Sequence, residues 1–222
     1  VERGQTLAVI GATGSGKSTL ISLIPRFYDA TEGAVLVDGV NVRDYAFDAL
    51  YDRLGYVTQK AVLFSGSIED NVLFGESAAP QDAGNTARAI DISQAAEFVN
   101  ALEEGTNYRI AQQGRNVSGG QKQRLAIARA IARQPEILIF DDSFSALDYK
   151  TDAALRRELA EKLPDATKII VAQRISSIRH ADKIIVLDRG EAVGVGTHDE
   201  LMRSCRVYQE IATSQLSAAE LA

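Results

Sequence analysis

The stretch "TLAVIGATGSGKSTLISLIPRF", Thr6 to Phe27, decides the fold of this chain. It opens on an apolar, β-favouring run (Thr6 to Ile10), crosses a glycine-rich loop and continues into a helix-like pattern. Within it "GATGSGKST", Gly11 to Thr19, fits G-x-x-x-x-G-K-[ST], with Gly11, Gly16, Lys17 and Ser18 in place. Glycines let backbone N–H groups close around phosphate oxygens, the lysine reaches the terminal phosphates, and the serine hydroxyl binds Mg²⁺. The strand before the loop and the helix after it are the setting this motif demands. Gly11, Thr13, Gly14, Ser15, Gly16, Lys17, Ser18 and Thr19 are therefore the candidate phosphate-binding residues.

Further β-rich runs recur at Leu54 to Val57, Ile137 to Phe140, Lys168 to Ala172 and Lys183 to Leu187. Runs apolar on both faces predict strands of a mainly parallel sheet covered by helices, and so an α/β fold. Alternation and turn glycines in "GAVLVDGVNV", Gly33 to Val42, predict an antiparallel pair on one edge. From about Ala61 to Gln134 the pattern is helical, with no convincing strand, as in "IDISQAAEFVNALEEG". The expected organisation is one domain over 1–222: a core of 1–60 and 135–222 with a helical subdomain, 61–134, inserted into it. The tail "TSQLSAAELA" is a helix candidate or a frayed end and receives no role.

In "PEILIFDDSFSALD", Pro135 to Asp148, four apolar residues run into two aspartates. Asp141, at the C-terminal end of a buried strand, is placed to hold Mg²⁺ through water once a phosphate loop is present. Composition is that of an ordinary soluble protein, 45% apolar and 24% charged, and the net charge of −6 argues against a duplex nucleic-acid partner. The one cysteine, Cys205, excludes an internal disulfide and suits a reducing compartment. No apolar run reaches the roughly 18–20 residues of a membrane span. The start "VERGQTLAVI", without methionine, reads as an excised piece of a longer polypeptide. His180 and His198 have no second ligand at metal-binding spacing, so both read as structural, with no metal expected beyond Mg²⁺.

"NVSGGQKQRLAIARAIARQP", Asn116 to Pro135, resembles the signature motif and following helix of ABC ATPases. With the phosphate loop, Gln59 of "YVTQK" and the "SALD" turn of Ser145 to Asp148, the resemblance spans essentially the whole chain in the expected order. "VLFSGSIEDNVLFG" (Val62 to Gly75) and "ADKIIVLDRGEAVGVGTHDEL" (Ala181 to Leu201) are similar to the exporter branch. The residues make physical sense unaided. Ser118 can cap a helix from Gly119, with Gln121 completing a capping box, and that helix start is a second anion site.

The resemblance implies a P-loop NTPase core with a mixed, mainly parallel sheet, an antiparallel edge subdomain and an inserted helical subdomain. It implies ATP and Mg²⁺ as cofactors and two domains facing head to tail. Each ATP then lies between one phosphate loop and the partner's equivalent of Ser118, Gly119, Gly120 and Gln121. Gln59 would touch Mg²⁺ and the attacking water, while Ser145 and Asp148 sit at the interface. Transmembrane helices, in the same polypeptide or a separate one, would place the domain at the cytoplasmic face of a cell membrane. The aromatic residue that stacks on adenine would precede residue 1.

Two departures bear on chemistry. Efficient members of the family carry glutamate where this chain has Asp142, and histidine where it has Gln173. Aspartate is one methylene shorter, a retreat of roughly 1–1.5 Å that can cost on the order of a hundredfold in rate. Glutamine can donate to a phosphate oxygen but cannot become a cation. The signature, "VSGGQ", differs from LSGGQ only at Val117. Since Asp142 and Gln173 serve the chain's own site and the signature serves the partner's, the expectation is a heterodimer whose other chain carries glutamate and histidine. Gln112, in "AQQGRN", replaces a glutamate common in exporters and weakens the expected communication with membrane helices. The alternatives are a homodimeric exporter ATPase in which Asp142 is a working base, and a soluble ABC-type ATPase acting on nucleic acid, disfavoured by the acidic charge.

Overall fold

The computed structural model describes residues 1–77 and 79–215. In chain order the elements are β1 (Thr6–Gly11), α1 (Lys17–Ser22), β2 (Leu36–Val37), β3 (Val40–Asn41), α2 (Phe47–Tyr51), β4 (Leu54–Val57), β5 (Gly66–Ser67), α3 (Ile68–Val72), α4 (Ala83–Ile92) and α5 (Ala96–Asn100). There follow β6 (Arg109–Ile110), α6 (Gly119–Ala132), β7 (Ile137–Asp141), α7 (Tyr149–Lys162), β8 (Thr167–Val171), β9 (Lys183–Asp188), β10 (Glu191–Gly196), α8 (His198–Ser204) and α9 (Arg206–Gln215).

Six strands form one sheet in the order β10-β9-β1-β8-β7-β4. All neighbours are parallel except β9 and β10. The apolar runs close the sheet because both faces are covered. On β1, Val9 belongs to one buried cluster, with Ile21, Leu50 and Ile139, while Ala8 and Ile10 belong to the other, with Phe140, Leu125 and Ile131. Phe140 is wholly buried, which stabilises the fold by about 2–3 kcal/mol relative to exposure.

Register places the functional edge. Val9 pairs with Val171, Val171 with Asp141, and Phe140 with Val57. The chain therefore leaves β1, β8, β7 and β4 at one end of the sheet, beside Gly11, Gln173, Asp142 and Gln59. This carboxyl edge is where open α/β sheets bind ligands.

The structure differs from the sequence reading in several places. The antiparallel pair in 33–42 is present as β2 and β3, joined by Asp38 and Gly39, both at positive φ, as a tight Asp-Gly hairpin requires. It is a sheet of its own, and the antiparallel edge of the large sheet is β10, a strand that glycines at 194 and 196 disguise. The segment 61–134 holds a short strand pair after all, β5 with β6. Its first helical run breaks between α4 and α5, where Gln94 adopts φ 60°. Helix α6 packs on β4 as well as on α3 and α4, so sheet and helices share one apolar cluster. Thr213 to Gln215 of the tail continue α9, and 216–222 lie outside the described residues. No helix among the described residues is long and apolar enough to cross a membrane.

Candidate nucleotide site

The loop after β1 is shaped by close approach and by left-handed backbone. A Cβ at Gly11 would lie 2.1 Å from the Leu187 carbonyl oxygen and 2.7 Å from Ser15 Oγ, so only glycine fits. Gly16, the residue before α1, sits at φ 99°, which L side chains rarely adopt. The loop is anchored from outside by the Gly190 N–H, which donates to the Ser15 carbonyl at 3.0 Å. Thr13 and Gly14 are exposed along it, and Ser18 and Thr19 follow in the exposed first turn of α1. Lys17 Nζ donates to the carbonyls of Gly11 (2.9 Å) and Ala12 (2.8 Å). Burial lowers the Lys17 pKa, against the pull of Asp142 and Asp141.

Two observations test whether these residues suit a phosphate and a hard cation. Ser15 is 4% exposed, and its Oγ is a buried polar atom without a hydrogen-bond partner, inside a cradle that a Cβ at Gly11 would fill. Ser18 Oγ donates to Asp141 Oδ1 at 2.8 Å, so a hydroxyl and a carboxylate, both oxygen donors, meet at one point. The fit is good on both counts. Among the described residues no group of three His, Cys, Asp or Glu side chains could form an all-protein metal cage.

Asp141 has a partner that the sequence reading missed. Tyr56 OH donates to Asp141 Oδ2 at 3.4 Å, and burial first, then the Asp141 charge, pushes the phenol up to about 12. Tyr56 thus stays protonated and remains a donor.

The next residue, Asp142, is the hub of the site. It is 7% exposed and adopts φ 48°, a left-handed conformation that aspartate tolerates better than most residues. Its N–H donates to the Val171 carbonyl at 3.1 Å. Its Oδ2 accepts from Gln59 Nε2 at 2.9 Å and from Gln173 Nε2 at 2.6 Å. The structure therefore brings all three predicted catalytic side chains onto one oxygen. Gln215, at the end of α9, holds the same turn from behind: its Nε2 donates to the Gln173 carbonyl (2.7 Å) and its Oε1 accepts from the Ile175 N–H (2.8 Å). A 40-residue separation with no motif hides that contact from sequence. A cavity of about 360 Å³ lies beside these groups, lined by Asp142, Gln173 and Gln215 among others.

The signature residues stand apart from the phosphate loop. Ser118 caps α6, accepting from the Gln121 N–H at 3.2 Å, while Gln121 Oε1 accepts from the Ser118 N–H at 2.8 Å. This is the reciprocal capping box: it satisfies the Gln121 N–H and leaves those of Gly119 and Gly120 without an intrahelical partner. A Cβ on Gly120 would lie 3.5 Å from the Ala146 carbonyl, so the signature abuts the SALD turn, and a Cβ on Gly119 would meet nothing within 4 Å. Asp148 has a local task. Its carboxylate caps α7, accepting from Thr151 N (3.0 Å) and Thr151 Oγ1 (2.7 Å), and these bonds, led by the backbone one, hold its pKa low. Gln112 lies exposed in a short turn, which Asn116 ties down through Ala111 N and the Arg109 carbonyl. His198 is held by Tyr208, whose hydroxyl lies 2.8 Å from Nδ1.

Sequence reasoning also missed Arg129. Its guanidinium donates to the Asn71 carbonyl, Asn71 Oδ1 and the Val62 carbonyl, at 2.7 to 3.0 Å, and lies over the stacked rings of Phe64 and Phe74. It pins the segment after Gln59 to α6, so the glutamine and the signature helix are mechanically joined.

A family model described as ABC transporter matches residues 1–145. An uncharacterized ABC transporter ATP-binding protein of Mycobacterium tuberculosis is 48% identical over 219 residues, which are 97% of this chain and 37% of that protein. A putative multidrug export ATP-binding/permease protein of Bacillus subtilis is 41% identical over 215 residues, again 97% of this chain and 37% of the relative. Among solved structures, a bacterial Atm1-family ABC exporter with ATP bound superimposes with a TM-score of 0.89 at 35% identity, covering 95% of this chain and 37% of that one. The chain thus spans a little over a third of the length of these relatives. With its phosphate loop, capped signature helix and sheet edge in place, the chain belongs to the ABC transporter family, as an ATP-binding domain.

Proposed function

We propose that this domain powers an ABC exporter as one half of a heterodimer, with its own site tuned for ATP occupancy rather than rapid hydrolysis and its signature completing the partner's site. The observation that carries the reading is the Asp142 carboxylate: one methylene shorter than glutamate, with Oδ2 engaged by the Gln59 and Gln173 amides. A carboxylate oxygen offers about two lone-pair sites. Both on Oδ2 are used, which leaves Oδ1 alone to orient a water from a retreated position.

The remaining residues act by binding and orientation. Loop N–H groups between Thr13 and Thr19, other than that of Ser15, which donates to the Ala12 carbonyl at 3.1 Å, hold the phosphates together with the Lys17 ammonium. Ser18 and Asp141 hold Mg²⁺, whose chemistry when bound is to polarise the phosphoryl oxygens and offset their charge. Tyr56 keeps Asp141 oriented. Gln59 spans the metal side of the site and the segment pinned by Arg129. Gln173 can donate to a terminal phosphate oxygen, yet never as a cation. Ser118, Gly119, Gly120 and Gln121 present an anion-binding helix start to a second domain. Asp148, by capping α7, fixes the SALD turn at that interface. The second domain carries glutamate and histidine in its own site. Transmembrane helices, similar in role to those of the exporter relatives, would place this domain at the cytoplasmic face of a membrane.

Single-turnover hydrolysis at saturating Mg·ATP, measured beside ATP affinity, tests this. Retained binding with very slow turnover by the chain alone supports the reading. Brisk turnover that is abolished by Asp142→Asn would transfer the case to a homodimer in which Asp142 works as the base.

A further inference from the structure

A second, half-enclosed cavity of about 440 Å³ lies between α7, β8 and the turn of 176–181. None of its lining residues belongs to the phosphate loop, the 141–142 pair, Gln59 or Gln173. Its apolar floor includes Leu159 and Ile170, both buried. Its charged lining is cationic: Arg156, Arg157, Lys168 and Arg179 contribute, and among the described residues no carboxylate lines it, in a chain of net charge −6.

Arg156 is already neutralised. It holds the buried Asp152 through Nε (2.9 Å) and Nη2 (3.1 Å) and donates Nη1 to the Ser176 carbonyl (3.0 Å). The other cations are not. Among the described residues Arg157, Arg179 and Lys168 enter no ion pair. Lys168 is 4% exposed and directs one N–H to the Leu163 carbonyl at 2.5 Å, with Asp182 and Asp165 acting only at longer range. Desolvating a cation without a counter-charge costs several kcal/mol, so the buried Lys168 favours an incoming anion, while Arg157 is exposed and Arg179 half-buried beside it, both free to meet a charged head. Two arginines beside an apolar floor match a ligand with a charged head and a greasy body, and the volume falls in the range of small-molecule sites, about 300–1,000 Å³.

We propose that this cavity binds a small amphiphilic anion, a phosphate monoester or carboxylate bearing a short apolar chain, with its head on Arg157 and Arg179 and its body over Leu159 and Ile170.

The probe is n-octyl phosphate, titrated calorimetrically into the full chain, with octanoate, inorganic phosphate and 1-octanol alongside. One-site binding is expected, persisting in Lys17→Ala, which removes the phosphate-loop lysine. Octanol should not bind, and inorganic phosphate should bind at least tenfold more weakly. The comparison of octanoate with octyl phosphate identifies the preferred head. Arg157→Glu with Arg179→Glu should weaken octyl phosphate at least tenfold. Ala153→Trp, at an exposed position of α7 that lines the cavity, should block it without changing charge, and decides the matter should the double charge reversal not fold. The proposal is overturned by absence of binding up to millimolar probe, by equal affinity for octanol, by loss of binding in Lys17→Ala, or by unchanged affinity in Ala153→Trp.

Discussion

Replacing Asp142 by glutamate, alone and together with Gln173→His, separates reach from protonation in this site. Glutamate returns the carboxylate by roughly 1–1.5 Å, and a misplacement of that size is worth up to about a hundredfold in rate, or about 2.7 kcal/mol of barrier. The structure tempers the single change in two ways. Asp142 Oδ2 is held by Gln59 at 2.9 Å and Gln173 at 2.6 Å, and a longer side chain must give up at least one of these bonds. The residue also sits at φ 48°, where aspartate is better tolerated than glutamate, a difference of about 1 kcal/mol. We therefore expect Asp142→Glu to raise single-turnover hydrolysis roughly tenfold, and the pair with Gln173→His to approach the full hundredfold. Urea unfolding should record a stability loss of about 1 kcal/mol for either variant. A paired variant whose turnover stays within threefold of wild type would refute the argument that reach limits the site, and an undiminished stability would refute the backbone part of it.

Three further outcomes follow from named contacts. Ser15→Ala removes a buried hydroxyl that has no partner, so thermal stability should hold or rise by about 1 kcal/mol while Mg·ATP affinity falls; a loss of stability would show that the hydroxyl is structurally engaged. Asp152 is 1% exposed, grips Arg156 bidentately and accepts from Ser177 Oγ at 3.0 Å. Asp152→Ala should cost about 3–5 kcal/mol in chemical denaturation, and Asp152→Ala with Arg156→Leu distinctly less, because no charge is then left unpaired; equal losses would contradict this. Burial, then Arg179, holds His198 below its ordinary value of 6.5. The unfolded chain therefore binds more protons than the folded one below that pH. The contribution is complete above about pH 6.5 and is lost as the pH falls toward the folded value. His198→Gln, which can still hydrogen-bond Tyr208, should flatten the acid side of the stability profile, and an unchanged slope from pH 7 to 5 would exclude His198 as its source.

How much of this could be read beforehand follows the range of the interactions. The phosphate loop was legible because most of its constraints are local: the approach of Gly11 to Ser15 and the positive φ at Gly16 act within nine residues, and the residue types record them directly, although the tightest approach at Gly11 is to the distant Leu187 carbonyl. The Ser118 cap was legible for the same reason, since donor and acceptor lie three residues apart. Strands apolar on both faces announced a covered parallel sheet, but β10, exposed and glycine-rich, lacks the apolar run that marks a buried strand. The site's central geometry was legible only in part. Sequence placed Gln59, Asp142 and Gln173 in one site, while their convergence on a single oxygen depends on the β4-β7-β8 order, which no local pattern encodes. That convergence changes the meaning of the substitutions. Asp142 and Gln173, read separately, are two independent losses; joined by a 2.6 Å bond they form one arrangement in which the glutamine amide occupies the oxygen that a base would offer to water. A glutamate at 142 facing Gln173 would crowd that amide, whereas a histidine at 173 would present Nε2 at about the reach of the glutamine amide nitrogen and keep the contact with Asp142. The two departures are thus in direct contact at 2.6 Å, so the effects of reversing them should be coupled rather than additive.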